Sequence, residues 1–263
     1  MRWILRPLTV AIALNTLMPV LGASDGPLLA RQAVRFSSAG ELPVFLNGEF
    51  IWLDRPDLPA VRPGVAICHS DPYCGGSMDD RLVQALASRL ACAGMVVLRF
   101  NYRLPGDQNR ASDSVAAATE DILGALNCLR GNPMVDDARV CLVGHSFGAV
   151  VALRATVQAK PKVLAYVGVG FPLADHEVSL SAYSFVRHAR SSLLFVSGDA
   201  DTSSSLLNLK RLTALTGVKA EFVSLVGADH WFSADPVLDE LGIHVSAYLR
   251  AQVAAVAPTS LSP

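Results

Sequence analysis

Residues 139–155 read RVCLVGHSFGAVVALRA. The stretch opens on an apolar, β-branched run, passes through Gly144-His145-Ser146-Phe147-Gly148, and continues as an alanine-rich apolar segment. The composition predicts a strand, a sharp turn and a helix in immediate succession. Gly-x-Ser-x-Gly at such a junction marks a nucleophile elbow. There the serine sits on a strained turn, and its flanking positions must be small because strand and helix backbones crowd together. With Gly and Ser each near 7% of residues, about 0.1 chance matches are expected in a chain this long. A match that also lies between strand and helix is rarer, so Ser146 is the candidate nucleophile.

The pattern extends outward in both directions. Ala33–Phe36 and Val44–Leu53 read as opening strands, with Asn47-Gly48 as a tight turn or bulge. Val65–His69, Met95–Phe100, Val163–Val169, Leu193–Ser197 and Ala220–Leu225 are further short apolar runs. Helical spacing covers Met78–Ala93, ended by Gly94, then Ser112–Leu129, Ser204–Leu215 and Pro236–Ala255. Strands that are apolar on both faces belong to parallel sheets covered by helices. The alternation predicts one α/β domain over residues 31–257 with a mostly parallel central sheet, and a disordered tail at 258–263.

A serine hydroxyl needs a base, and the base needs an orienting acid. In an elbow fold these follow in the order Ser, Asp or Glu, His. LLFVSGDADTSS (193–204) places Asp199 and Asp201 past a strand end, and LVGADHWF (225–232) places His230 past the last one. His230 is the expected base. Asp201 is favoured as the acid, with Asp199 as the alternative; Asp229, next to the base, is expected to point elsewhere. One oxyanion donor is expected from the N–H of Phe147, after the nucleophile. The second is expected from the loop CHSDPYCGGSMDD (68–80). Pro72 has no N–H to offer, which leaves Asp71 and Tyr73. Gly75 and Gly76 would let this loop approach a substrate. His69 is read as a brace for the loop and His145 as pointing into the fold. His176, His188 and His244 read as surface residues. No spacing of His, Cys and carboxylates points to a metal, and no dinucleotide or phosphate-loop motif occurs, so no cofactor is expected.

Composition bounds the partners. Twenty-two Lys and Arg against 23 Asp and Glu leave a net charge of −1. That balance excludes a protein living on phosphate contacts, so no nucleic-acid partner is expected. The hydrophobic fraction of 51% excludes a disordered chain. Part of it lies in MRWILRPLTVAIALNTLMPVLGASDG (1–26), where Arg2 and Arg6 precede an apolar run and then small residues. That order predicts a signal peptide over residues 1–23 and a periplasmic or secreted protein. An uncleaved anchor or an inert extension of a cytoplasmic protein are the alternatives. The run is shorter than the roughly 20 apolar residues of a stable membrane span, and Asn15, Thr16 and Pro19 interrupt it. The five cysteines are odd in number, so at least one is free. Cys68 and Cys141, in strand-like runs, read as core residues.

At these motifs the sequence resembles the bacterial α/β-hydrolases of the dienelactone-hydrolase-like, small-esterase type. It is most similar to the group whose loop reads HPHPxxGGxMDN, matched here by His69–Asp80. Leu98–Arg103 (LRFNYR) resembles that group's LRFNFRG, and GHSFGAVVAL (144–153) its GFSFGAYVAL. SGDADTSS (197–204) and GADHWF (227–232) resemble GDxDxxxP and GADHFF. The similarity runs from Pro63 to Leu249. It implies an α/β-hydrolase fold with a Ser-Asp-His triad, and the short segment between Phe171 and Arg190 resembles members with a minimal lid. Asp71 replaces the group's second loop histidine and Leu104 its glycine after arginine. Both departures lie near the expected mouth of the site, so fold and reaction type carry over further than substrate. The resulting expectation is a serine hydrolase acting on small carboxylic esters through an acyl-enzyme. Other acyl transfer or amide hydrolysis, or a non-catalytic interaction module, are the alternatives.

Overall fold

The computed structural model describes residues 28–103, 111–173 and 180–258. The signal peptide expected at residues 1–23 and nearly all of the tail expected at 258–263 lie outside them. The chain runs β1 (Leu29–Ser37), β2 (Phe45–Leu53), β3 (Arg62–Cys68), α1 (Arg81–Cys92), β4 (Val96–Phe100), α2 (Ala111–Arg130) and β5 (Val135–His145). It continues through α3 (Phe147–Gln158), β6 (Ala165–Val169), β7 (Ser192–Gly198), α4 (Leu206–Thr216), β8 (Glu221–Leu225) and α5 (Asp235–Ala254). The strands form one eight-stranded sheet in the order β1-β2-β4-β3-β5-β6-β7-β8. The β1–β2 and β2–β4 pairs are antiparallel, and every pair from β4–β3 to β7–β8 is parallel.

The inner parallel strands are largely apolar on both faces because both faces are covered, whereas β8 at the edge exposes Glu221 and Ser224. One core packs Leu98, Leu142, Val151, Leu153, Ile122 and Leu209 beneath α2, α3 and α4. The other packs Val65, Val97, Val143, Leu86, Leu90 and Leu241 beneath α1 and α5. Among the described residues the hydrophobic excess therefore resides in the sheet and its inner helix faces. Among the described residues no helix is long and apolar enough to cross a membrane. Cys68 and Cys141 are fully buried, as expected of small core residues.

Two local expectations are corrected. Asn47-Gly48 is no turn: it lies within β2, with Gly48 opposite Val34 on one side and Phe100 on the other. The glycine serves close approach, since a Cβ there would lie 2.8 Å from the Arg99 carbonyl oxygen. Helix α1 begins at Arg81, not Met78. The preceding residues have other partners: Asn101 Oδ1 accepts the Met78 N–H at 2.8 Å, and Asp80 Oδ1 accepts the Ser77 N–H at 3.1 Å. Leu180–His188, within the short segment that resembles a minimal lid, forms 3₁₀ turns. Val186 is buried there, and the Tyr183 hydroxyl donates to the Pro172 carbonyl at 3.3 Å.

Candidate active site

The chain leaves β5 and enters α3 through a single residue. Ser146 has φ 53° and ψ −121°, a conformation L-residues rarely adopt. Such strain costs about 1–3 kcal/mol and persists only where the surroundings impose it. Here they do. The Ser146 N–H donates to the Val169 carbonyl at 2.9 Å, and its own carbonyl accepts the Ala149 N–H at 2.9 Å. A Cβ at Gly144 would lie 2.4 Å from the Gly148 carbonyl oxygen, and one at Gly148 only 2.2 Å from that of His69. The two glycines let the first turn of α3 press against the ends of β3 and β5.

The ends of β7 and β8 lie across the sheet from this elbow. Asp201 is buried, with Oδ1 accepting the Ser203 N–H at 2.8 Å. Its Oδ2 lies 2.8 Å from His230 Nδ1, and His230 Nε2 lies 2.9 Å from Ser146 Oγ. The carboxylate is acceptor-only, so it takes Nδ1–H, leaving Nε2 to accept the serine hydroxyl proton. The three residues form one hydrogen-bonded row, with Asp201 sealed from solvent and Ser146 and His230 partly exposed. Asp199 is not part of it: its Oδ1 accepts the Gly227 N–H at 2.6 Å, pinning the β8–α5 loop to the β7 turn. Asp229 also points away, accepting the Ser233 N–H at 2.9 Å, which holds its carboxyl below the usual range.

The three residues expected to serve the oxyanion differ in how their N–H groups are placed. Phe147 is the first residue of α3, where N–H groups have no carbonyl in the preceding turn. None of the described residues accepts from it. Tyr73 is corrected: its N–H donates to the side chain of Asp71 at 2.9 Å, because Asp71 caps the short 3₁₀ turn Pro72–Cys74. A committed N–H is a poor receiver of developing charge. The Asp71 N–H has no acceptor among the described residues and is the remaining candidate from that loop. The loop is braced by His69, whose Nδ1–H donates to the Ser70 carbonyl at 2.7 Å while its ring rests on Tyr102, 4.5 Å between centroids. Among the described residues no group of three or more His, Cys, Asp or Glu is placed to hold a metal ion.

Two neighbours of the row make contacts that the sequence did not signal. Gly170 has φ 54°, and a Cβ there would lie 3.4 Å from the His230 ring and 3.5 Å from Asp201 Oδ2. His145 Nε2 lies 2.9 Å from the His230 carbonyl oxygen. Both join residues distant in sequence, and spacing along the chain carries no such information.

The sequence of residues 73–252 matches a family described as alpha/beta hydrolase domain. The chain belongs to this family. As an α/β hydrolase it is 33% identical over 176 residues to an uncharacterised protein of Mycobacterium tuberculosis. That match covers 60% of this chain and 61% of the relative, so the chain spans about three fifths of that protein's length. A second uncharacterised relative, from Rickettsia prowazekii, is 25% identical over 192 residues, 71% of this chain and 77% of the relative. Among solved structures, an Agrobacterium tumefaciens protein of unknown function superposes with TM-score 0.67 at 23% identity, covering 88% of this chain and all of that one. An α/β serine hydrolase without lid from Xanthomonas campestris gives TM-score 0.62 at 22% identity, over 94% of this chain and all of that one. A dienelactone hydrolase from Anabaena variabilis gives 0.64 at 20%, over 84% and 98%. These structural likenesses agree with the expected α/β-hydrolase fold.

Burial sets one pH response. His145 is 2% exposed, and burial pushes its pKa down to about 4; His69 moves in the same direction for the same cause. In the unfolded chain each regains an ordinary pKa near 6.5. Between those values the unfolded state binds protons that the native state does not. Stability is therefore fully present above pH 6.5 and declines as pH falls toward 4. For His145 alone the full swing is about 3 kcal/mol. Urea unfolding at pH 7 and pH 5 is expected to show the loss, with a shallower loss in His145→Phe. Equal pH dependence in the two proteins would contradict the assignment.

Proposed function

We propose that the protein is a serine hydrolase that cleaves small carboxylic esters through an acyl-enzyme intermediate. The observation that carries this reading is the Ser146–His230–Asp201 row, with Nδ1 to Asp201 at 2.8 Å and Nε2 to Ser146 at 2.9 Å. Ser146 Oγ attacks the ester carbonyl while His230 Nε2 takes its proton. The tetrahedral oxyanion is received by the Phe147 N–H at the start of α3, where the helix dipole also favours negative charge, and by the Asp71 N–H. The imidazolium then returns the proton to the departing alcohol, leaving the acyl group on Ser146. Water, deprotonated by the same Nε2, releases the acid. Asp201 holds the imidazole in the tautomer that presents a basic Nε2 and stabilises the cation formed in each half-reaction. The partial exposure of Ser146 and His230 supports substrates that need no deep pocket around the scissile bond. One structural neighbour is itself described as a serine hydrolase without lid. The basic start, apolar run and small residues of 1–23 support an exported enzyme.

A fluorophosphonate probe tests the reading directly. The folded wild-type protein is expected to gain one phosphonyl group (the probe less HF), on the peptide carrying Ser146, and to hydrolyse short p-nitrophenyl esters. An unlabelled folded wild type, or equal labelling of Ser146→Ala, would overturn it.

A further inference from the structure

We infer that His145 is a positioning residue, latching the loop that carries the base to the strand that carries the nucleophile. The inference rests on the serine-hydrolase reading of the same site. His230 lies in the connection between β8 and α5, much of which is open to solvent: Val226 is 80% exposed and Trp231 52%. Asp199 and Ala200 hold the start of this connection, through Gly227 N–H at 2.6 Å and the Ala228 carbonyl at 3.1 Å. Asp229 closes a local turn on Phe232 and Ser233. Among the described residues, the main chain of His230 itself makes one hydrogen bond. Its carbonyl accepts from His145 Nε2–H at 2.9 Å.

The same imidazole is the surface on which the loop rests. Its centroid lies 5.4 Å from that of His230, 5.6 Å from Trp231 and 6.4 Å from Phe232, three consecutive residues. His145 is also the residue before Ser146, on the rigid end of β5. One side chain thus ties the backbone beside the nucleophile to the backbone of the base. Nε2 must keep its distance to Ser146 Oγ through two proton transfers, and a misplacement of about 1 Å costs on the order of a hundredfold in rate. A phenylalanine at this position would keep a ring and lose the donor. Packing and latch are therefore separable by substitution.

The test compares wild type, His145→Phe and His145→Gln. Phenylalanine keeps a ring and removes the donor; the glutamine amide restores an N–H within reach of the same carbonyl. For p-nitrophenyl acetate, His145→Phe is expected to lower kcat about tenfold to a hundredfold with KM little changed. Its rate of fluorophosphonate labelling is expected to fall in parallel, and His145→Gln to recover most of both. Should the Phe variant not fold, His145→Leu takes its place. A second readout needs no turnover: the downfield proton resonance of His230 Nδ1–H, identified by its loss in His230→Gln. It is expected in wild type and His145→Gln, and broadened or lost in His145→Phe. Wild-type kcat in the Phe variant, or Gln as slow as Phe, would overturn the latch. If wild type itself neither labels nor turns over, the hydrolase reading fails, and the resonance alone decides whether His145 fixes His230.

Discussion

Ester hydrolysis by Ser146→Ala is expected to fall roughly 10⁵- to 10⁶-fold in kcat, leaving only what binding and oxyanion contacts supply. The row at the sheet edge has a single hydroxyl, and no other described side chain hydrogen-bonds to His230 Nε2. Without it the imidazole has no proton to take and the acyl group no atom to join. The fold should survive the change. What holds residue 146 at φ 53° is main-chain hydrogen bonding to Val169 and Ala149, which alanine keeps. Thermal unfolding within a few degrees of wild type would separate lost chemistry from lost structure. Residual activity within tenfold of wild type would remove Ser146 as nucleophile. The two aspartates should separate equally well. Asp201→Asn removes the acceptor for Nδ1–H and is expected to cost about 10⁴-fold in kcat. Asp199→Asn touches only the Gly227 N–H and is expected to leave kcat within a few-fold.

A large loss of stability is expected from Gly148→Ala. An added Cβ would stand 2.2 Å from the His69 carbonyl oxygen and 2.4 Å from that of Cys68. Both contacts are with main chain at the end of a central strand, so no flexible side chain can yield. Either α3 tilts off the sheet or β3 shifts, and each repacks a buried core. Overpacking in cores costs about 1–3 kcal/mol, and a clash with rigid backbone belongs at or above the top of that range. The same displacement would move the Phe147 N–H and the elbow, so activity should fall with stability. Gly75→Ala is the control. Gly75 has φ 84°, but a Cβ there meets nothing within 4 Å. It should cost only the left-handed penalty of about 1–2 kcal/mol. Urea midpoints measure both variants. Equal midpoints for the two would refute the crowding argument.

Much of this protein is legible in its linear sequence, and the reason is local. Runs such as VVL (96–98) and VCLV (140–143) are apolar at successive positions because both faces of a parallel strand are covered, so a single segment reveals its environment. The elbow is legible for the same reason: its glycines are demanded by a turn completed within five residues. The order Ser146, Asp201, His230 could be read because each follows a strand end. Asn47-Gly48 misled, because a glycine required by the approach of a neighbouring strand looks the same in sequence as one required by a turn. Tyr73 misled because the Asp71 side chain, two residues away, claims its N–H.

What sequence alone determined is the alternation of strands and helices and the chemical types at their junctions. Tertiary structure alone decided that Asp201 and not Asp199 faces His230, that Gly170 lies against both His230 and Asp201, and that His145 reaches the carbonyl of a residue 85 positions away. Those contacts form only when the ends of β5, β6, β7 and β8 are brought side by side. The pairing of parallel strands that does so is set by burial of both sheet faces, a property of the whole core rather than of any one segment.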